Sequence, residues 1–350
     1  MTIRVLVAGL GNMGRSHALA YHHDPAFQIV GLVNRSSVDL PAELRGYPIS
    51  ADYAEALARL KPDLVCIATY SDSHADYAVA AMQAGAHVFV EKPLATTVAD
   101  ARRVAECAAR SGRKVVVGYI LRHHASWQRL IAEARALGGP YVFRLNLNQQ
   151  SSGPTWEVHK ALMQTTPPIV DCGVHYVDVM CQITDAKPVE VRGMGLRLSE
   201  EIAPDMYNYG HFQVLFDDGS LGWYEAGWGP MMSETAFFVK DMIGPRGSVS
   251  IAMEESKTQS ADVDSHTKTS ALRVHHGLLN PAGQFVTPDE IIRMDDEPGH
   301  QELCDREQLL FLDAIRNDRD MDAHVRDAIN SLRIVLGADE SVRTGEVVKL

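Results

Sequence analysis

No run of apolar residues in this 350-residue sequence approaches the roughly 20 that a helix needs to cross a bilayer. Cysteine is scarce. The five residues, Cys66, Cys107, Cys172, Cys181 and Cys304, form no C-x-x-C pair. That argues against a zinc knuckle or a disulfide framework and fits small core side chains in a reducing compartment. Basic charge is short as well: 33 Lys and Arg against 45 Asp and Glu leave a net charge of −12. Such a surface lacks the positive field that nucleic acid or an anionic membrane requires. Low-complexity tracts and internal repeats are missing. The opening MTIRVLVAGLG holds one basic residue and its apolar run stops at glycines, so it reads as a strand and not as a signal peptide. A cytoplasmic protein is expected.

What is present is an ordinary globular composition, 46% hydrophobic and 22% charged, able to bury a sizeable core. The first third alternates strand and helix. Strand-like runs at Ile3–Ala8, Gln28–Val33, Leu64–Ala68, 87–91 and Lys114–Gly118 are separated by helical patterns at Met13–His22, Ala51–Leu60, Ser73–Ala84 and Thr97–Arg110. Near-continuous apolar strands between helices predict a doubly wound parallel sheet covered on both faces. Past Ala125 the pattern changes. A helix over 124–137 leads to YVFRLNLNQQ, where polar and apolar residues alternate, and Asp217–Ser220 reads as a hairpin turn between two long strands. The expected architecture is a doubly wound α/β domain over 1–122, then an α+β domain over 123–350 with a large, mostly antiparallel sheet. The two C-terminal amphipathic helices are free to pack back on the first domain. Residues 251–300 look the least regular.

The stretch RVLVAGLGNMGRSH carries Gly9-x-Gly11-x-x-Gly14 directly after the first strand and at a helix start, the context in which such glycines bind a pyrophosphate. Gly9 permits the turn, Gly11 admits the phosphates to backbone N–H groups, and Gly14 lets helix and strand approach. Asn12 and Met13 belong to the same loop. Twenty residues after Gly14, where an NAD site often holds a carboxylate for the ribose, stand Asn34, Arg35, Ser36 and Ser37. An amide, a guanidinium and two hydroxyls suit a 2′-phosphate. NADP(H) is therefore favoured, with NAD(H) the alternative. Ala68 and Thr69, which end the third long strand, complete the expected cofactor wall.

GLGNMG, ATYSDSHADYAVAAMQAGAHVFVEKPLA, VDCGVHYVDVM and the closing FLDAIRN and DAINSLRIVLGADESVRTGEVVKL occur in this order. Together they resemble the glucose–fructose oxidoreductase / inositol dehydrogenase (Gfo/Idh/MocA) family of NAD(P)-dependent sugar and cyclitol oxidoreductases, over nearly the whole chain except about 251–300. The resemblance implies a Rossmann first domain and a larger α+β second domain whose open sheet forms homodimers or homotetramers. It makes Lys92 of the EKP motif the lysine at the reacting hydroxyl, and Asp171 and His175 the second-domain pair. His74 matches a histidine that shapes the nicotinamide side. Glu91 orients Lys92 or contacts that side.

The residues also support a chemical reading of their own. Asp171 and His175, four apart after Pro167-Pro168, share one face if helical. Hydride transfer needs a proton acceptor and charge near a developing alkoxide. His175 is the candidate acid/base, Asp171 its orienting partner or a hydroxyl ligand, and Lys92 the positive charge or itself the proton-transfer group. Tyr119, Arg122 and His123 fall at a strand's carboxyl end, where ligands gather. Arg122 suits an anionic or heavily hydroxylated substrate, or an ion pair that bridges the domains. The usual Trp-Arg pair of the resembled family is missing from SGPTWEVHK, which argues against its ordinary free sugar or inositol, and the aromatic Trp156 with the basic His159 and Lys160 suits an acidic or sulfated sugar. No His, Cys or acidic spacing marks a metal site. The expected substrate is a sugar-like molecule. Redox-assisted glycoside cleavage with recycled cofactor and a nucleotide-binding regulator without turnover are the rivals.

Overall fold

The computed structural model describes residues 2–233, 239–252 and 269–350. They form two compact units, one of residues 1–120 with 299–332 and one of 121–298 with 333–350. The chain thus enters the second unit after Ile120, and residues 299–332 complete the first.

In the first unit six strands form one parallel sheet: β1 (Ile3–Ala8), β2 (Phe27–Val33), β3 (Ile49–Ser50), β4 (Leu64–Ile67), β5 (His87–Glu91) and β6 (Val115–Gly118). Their spatial order is β3-β2-β1-β4-β5-β6, so the winding reverses beside β1, and a doubly wound sheet binds ligands at such a reversal. Helices α1 (Asn12–His23), α2 (Tyr53–Leu60), α3 (His74–Gln83) and α4 (Val98–Ser111) connect the strands. Every residue of β4 and β6 is buried, which explains their unbroken apolar sequences. The helix ends follow local chemistry. Asp52 and Thr97 accept the Glu55 and Asp100 N–H groups as N-caps, and Gly112 ends α4 in a left-handed conformation. One core gathers Val5, Val7, Leu64, Cys66, Phe89 and Val116 with Phe311 and Leu312 of the helix His300–Arg316.

The second unit carries a nine-stranded sheet of order β14-β13-β12-β11-β7-β10-β9-β8-β15. Its strands are β7 (Val142–Gln150), β8 (Pro188–Leu196), β9 (Tyr209–Phe216), β10 (Leu221–Gly229), β11 (Lys240–Gly244), β12 (Gly247–Ala252), β13 (Ala271–His276), β14 (Glu290–Arg293) and β15 (Val348–Lys349). All neighbours pair antiparallel except β7 and β10, which run parallel. The β9–β10 turn falls at the expected Asp217–Ser220, with Gly219 at φ +85°. Phe143, Leu145, Phe212, Val214 and Phe216 fill the covered face, while Arg144, Gln213, Leu215 and Leu221 stand on the other. Helices α5 (Ala125–Leu137) and α8 (Gly173–Thr184) lie on the covered face, and Trp127 of α5 meets Tyr176 of α8 edge to face. Part of the stretch expected to be irregular is sheet: β12, β13 and β14 pair in register. Their alternation is short and interrupted by polar residues, which hides it in the sequence. Residues 253–268 of that stretch lie outside the described residues.

Candidate active site

The glycine loop follows from three backbone requirements. Gly9 adopts φ +89° and donates its N–H to Val33 O at 2.9 Å, tying the loop to β2. A Cβ at Gly14 would stand 1.9 Å from Gly9 O, so nothing larger than glycine fits where α1 passes the loop. A Cβ at Gly11 would meet no protein atom within 4 Å. Gly11 thus borders open space at the N-terminus of α1, where the first N–H groups have no partner within the helix and attract an anion. Asn12 and Met13 begin that first turn.

A pocket of about 440 Å³ opens beside this loop, lined by Gly9, Gly11, Asn34, Arg35, Ser36, Ser37, Ala68 and Thr69 among others. The strand-end rule therefore located most of it. Asn34, placed in the sequence as a cofactor ligand, is already engaged: its Oδ1 accepts Leu10 N–H and its Nδ2 donates to Ser36 O. It holds the loop while lining the pocket, with a second N–H and a second lone pair left on the amide. Arg35 and Ser36 are exposed on the pocket rim, and Arg35 forms no ion pair or hydrogen bond among the described residues. Tyr70, Asp72, Ser73 and Tyr77 also line the pocket and were not anticipated. Tyr77 stacks on Tyr53 with centroids 3.9 Å apart, a contact between α2 and α3 that no local pattern announces.

His74 begins α3 fully buried, one ring nitrogen 2.8 Å from Pro93 O and the other 3.1 Å from Thr69 O. Burial, the largest influence, lowers its pKa below the ordinary histidine value despite both carbonyls. A neutral ring has one N–H and donates to one carbonyl at a time, so His74 lies between the segments that follow β4 and β5 and bonds one of them. The Lys92–Pro93 bond is cis.

Glu91 ends β5 as a buried carboxylate. Its Oε2 accepts Lys92 N–H at 3.2 Å, and its Oε1 lies 2.6 Å from His17 Nε2. Behind it runs a directional chain. Tyr21 donates to Gln308 Oε1, which leaves Gln308 Nε2 to donate to His17 Nδ1 at 3.1 Å, so His17 Nε2 must donate to Glu91. Glu91 is in this way held as an acceptor against the backbone of Lys92. His17, Cys304 and Glu307 bring ligand-type atoms within 4.8 Å of one another, yet both nitrogens of His17 already serve hydrogen bonds.

Glu307 is buried, and neither carboxylate oxygen has a hydrogen-bond partner among the described residues. Burial first, and the charge of Glu91 second, push its pKa well above the ordinary glutamate value. The folded state therefore binds a proton that the unfolded chain releases above pH ~4.3. The stability contributed by Glu307 is complete below that value and is lost as pH rises through the higher folded pKa. Glu307→Gln should match the parent in thermal unfolding near pH 4 and exceed it by a margin that widens toward pH 8. A margin that stays flat across that range would contradict a protonated Glu307.

Tyr119, expected to meet substrate, points into its own unit: it is 1% exposed and shares a hydrogen bond with Ser331 at 2.8 Å. In the second unit, Arg122 grips the fully buried Asp178 with two hydrogen bonds, Nε to Oδ2 at 2.8 Å and a second nitrogen to Oδ1. Both partners of this pair belong to the second unit. Burial raises the Asp178 pKa, opposed by the guanidinium and by Gln182. His123 is buried as well.

Asp171 ends the short helix α7 (Pro168–Asp171), which Pro167 and Pro168 begin, and His175 sits in the first turn of α8. The two helices join at Cys172, still right-handed helical at φ −84°, ψ −33°, and His175 N–H bonds Cys172 O. The expected single helix is thus kinked, yet the four-residue spacing survives. Both side chains are half-buried. Gly173 lets this corner pack on Tyr224, where a Cβ would come within 3.3 Å of the ring. Trp156 and His159 lie on α6 (Gly153–Leu162) and are buried, with His159 stacked on Trp228 at 4.5 Å. Lys160 pairs with Glu157 at 2.9 Å and Glu201 at 2.8 Å.

Residues 3–119 match a family model described as an oxidoreductase family, NAD-binding Rossmann fold, and residues 127–240 match the GFO/IDH/MocA C-terminal domain. An inositol 2-dehydrogenase of Salmonella typhimurium is 28% identical over 188 residues, 51% of this chain and 54% of that protein. The alignment thus spans about half the length of such curated relatives. A scyllo-inositol 2-dehydrogenase (NAD(+)) of Bacillus subtilis is 25% identical over 367 aligned residues, 99% of this chain and 96% of its own. The crystal structure of scyllo-inositol dehydrogenase from Lactobacillus casei with NAD(H) and scyllo-inositol superposes with a TM-score of 0.75 at 19% identity, over 100% and 99% of the two chains. That likeness is one of fold.

Proposed function

The chain belongs to the GFO/IDH/MocA family of oxidoreductases, and on that premise we propose that it is an NADP(H)-preferring dehydrogenase or reductase. Its substrate is a secondary alcohol or ketone of a sugar or cyclitol. The observation that carries the cofactor part is the pocket rim: no carboxylate stands at the end of β2, and an exposed Arg35 without a partner among the described residues does. A guanidinium pairs with a phosphate in two parallel hydrogen bonds, a geometry a ribose hydroxyl does not exploit. The open space at Gly11 and the N-terminus of α1 fit the pyrophosphate.

When bound, the nicotinamide supplies the hydride acceptor or donor. The protein's own groups handle charge and proton. Lys92 stabilises the developing alkoxide with its positive charge. His175 takes the hydroxyl proton in oxidation and returns it in reduction, and Asp171 orients the imidazole or binds a neighbouring hydroxyl. Arg122 and Lys160, the two cations expected near substrate in the second unit, are each paired with carboxylates. Their engagement favours a neutral polyol, held by hydrogen bonds, over an acidic sugar.

Arg35→Ala tests the cofactor assignment. A charge-assisted pair is worth about 1.5–3 kcal/mol, so NADP+ should bind roughly 10- to 100-fold more weakly while NAD+ changes little. Calorimetric titration of both cofactors reads the difference. Tighter binding of NAD+ than of NADP+ by the parent protein would defeat the assignment.

A further inference from the structure

We propose that Gln149 is a specificity residue whose side-chain amide donates to a hydroxyl oxygen of a neutral polyol, an inference that rests on the dehydrogenase reading above. Gln149 stands near the end of β7, directly opposite Trp228 of β10 in the parallel register. The indole Nε1–H donates to Gln149 Oε1 at 2.6 Å. An indole N–H has no acceptor capacity, so this contact decides which end of the amide is oxygen. Cys172 Sγ, another donor, lies 3.6 Å from the same oxygen. The carbonyl end is thus used inside the protein, and the half-buried amide keeps its Nε2 hydrogens without an acceptor among the described residues.

Its support is rigid. Trp228 is 1% exposed, and His159 lies parallel to it within 12°. A donor fixed in this way loses little rotamer freedom when a ligand arrives. Its surroundings point to the substrate. Cys172 Sγ is also 3.9 Å from Asp171 Oδ2, so the amide and the proposed catalytic carboxylate gather around one sulfur. One offers N–H donors and the other oxygen acceptors. Adjacent hydroxyls of a polyol, each able to donate and accept, match that pair without any added charge.

A role confined to holding Trp228 needs only the oxygen of Gln149. Gln149→Glu keeps that oxygen and removes the N–H donors; Gln149→Met removes them without adding charge. The probes are myo-inositol and its monodeoxy derivatives, assayed with NADP+ by the absorbance of the reduced nicotinamide. In both variants KM for myo-inositol should rise about tenfold, the size of one neutral hydrogen bond, with kcat within about threefold. The thermal midpoint of Gln149→Glu and the NADP+ affinity of both variants should stay unchanged. One monodeoxy-inositol should show the same loss with the parent protein and no further loss with Gln149→Glu. If the parent protein oxidises myo-inositol, an unchanged KM in the two variants, or losses that simply multiply, would overturn the assignment of Gln149 alone. A parent protein that oxidises no polyol would overturn the dehydrogenase reading and this inference with it.

Discussion

Lys92→Ala should lower kcat roughly a thousandfold while NADP+ affinity stays within about threefold. The size follows from what is removed. A positioned charge at a developing alkoxide and a positioned proton-transfer group are each worth about 100-fold or more. The selectivity follows from position. Lys92 lies at the end of β5, and its backbone N–H is held by Glu91, itself held by His17. Alanine preserves that backbone bond and the cofactor pocket, whose lining does not include Lys92. Stopped-flow measurement of hydride transfer beside equilibrium cofactor binding separates the two effects. If turnover survives within tenfold, Lys92 is not at the reacting oxygen. His175→Ala in the same assay shows whether the proton passes through the imidazole.

The second large effect distinguishes two glycines three residues apart. Gly14→Ala drives a Cβ to 1.9 Å from Gly9 O, a backbone atom that no side-chain rotation can move aside. Overpacking of this kind costs about 1–3 kcal/mol where neighbours can shift, and more where the clash is with backbone. Thermal unfolding without cofactor should fall by several degrees, and cofactor binding should be lost. Gly11→Ala places its methyl where no protein atom stands within 4 Å, at an extended φ of −67° and ψ of −166° that alanine adopts. Its stability without cofactor should match the parent, while NADP+ binds at least tenfold more weakly because the methyl occupies the approach of the pyrophosphate. Equal destabilisation by both substitutions would remove the reason for assigning Gly11 to the ligand.

The same contrast explains what could be read from the sequence. The glycine loop was legible because its spacing encodes backbone shape directly, and the strand-end rule placed Arg35 and Thr69 on the pocket. The apolar strands β4 and β6 were legible because burial on both faces leaves no other residue type acceptable. Side-chain partners were not legible, since they join segments far apart in the chain. Asn34 stands where a ribose ligand belongs and is also bonded to Leu10, and Arg122 pairs with Asp178, 56 residues away. Gln149 meets Trp228 only through a register across 79 residues. The His17–Gln308 link crosses 291 residues and depends on a helix that rejoins the first unit. Residue type and spacing thus announce backbone cradles and buried faces; pairings of polar side chains wait on the topology.

The central claim is that this protein moves hydride between NADP(H) and a carbon bearing a hydroxyl on a polyol. The most direct measurement incubates the purified chain with NADP+ and a panel of cyclitols, neutral sugars and acidic sugars, and follows the absorbance of the reduced nicotinamide. Formation of NADPH with at least one neutral polyol, faster than with NAD+ and abolished in Lys92→Ala, is the predicted result. Stoichiometric NADP+ binding with no reduction by any member of the panel would contradict it.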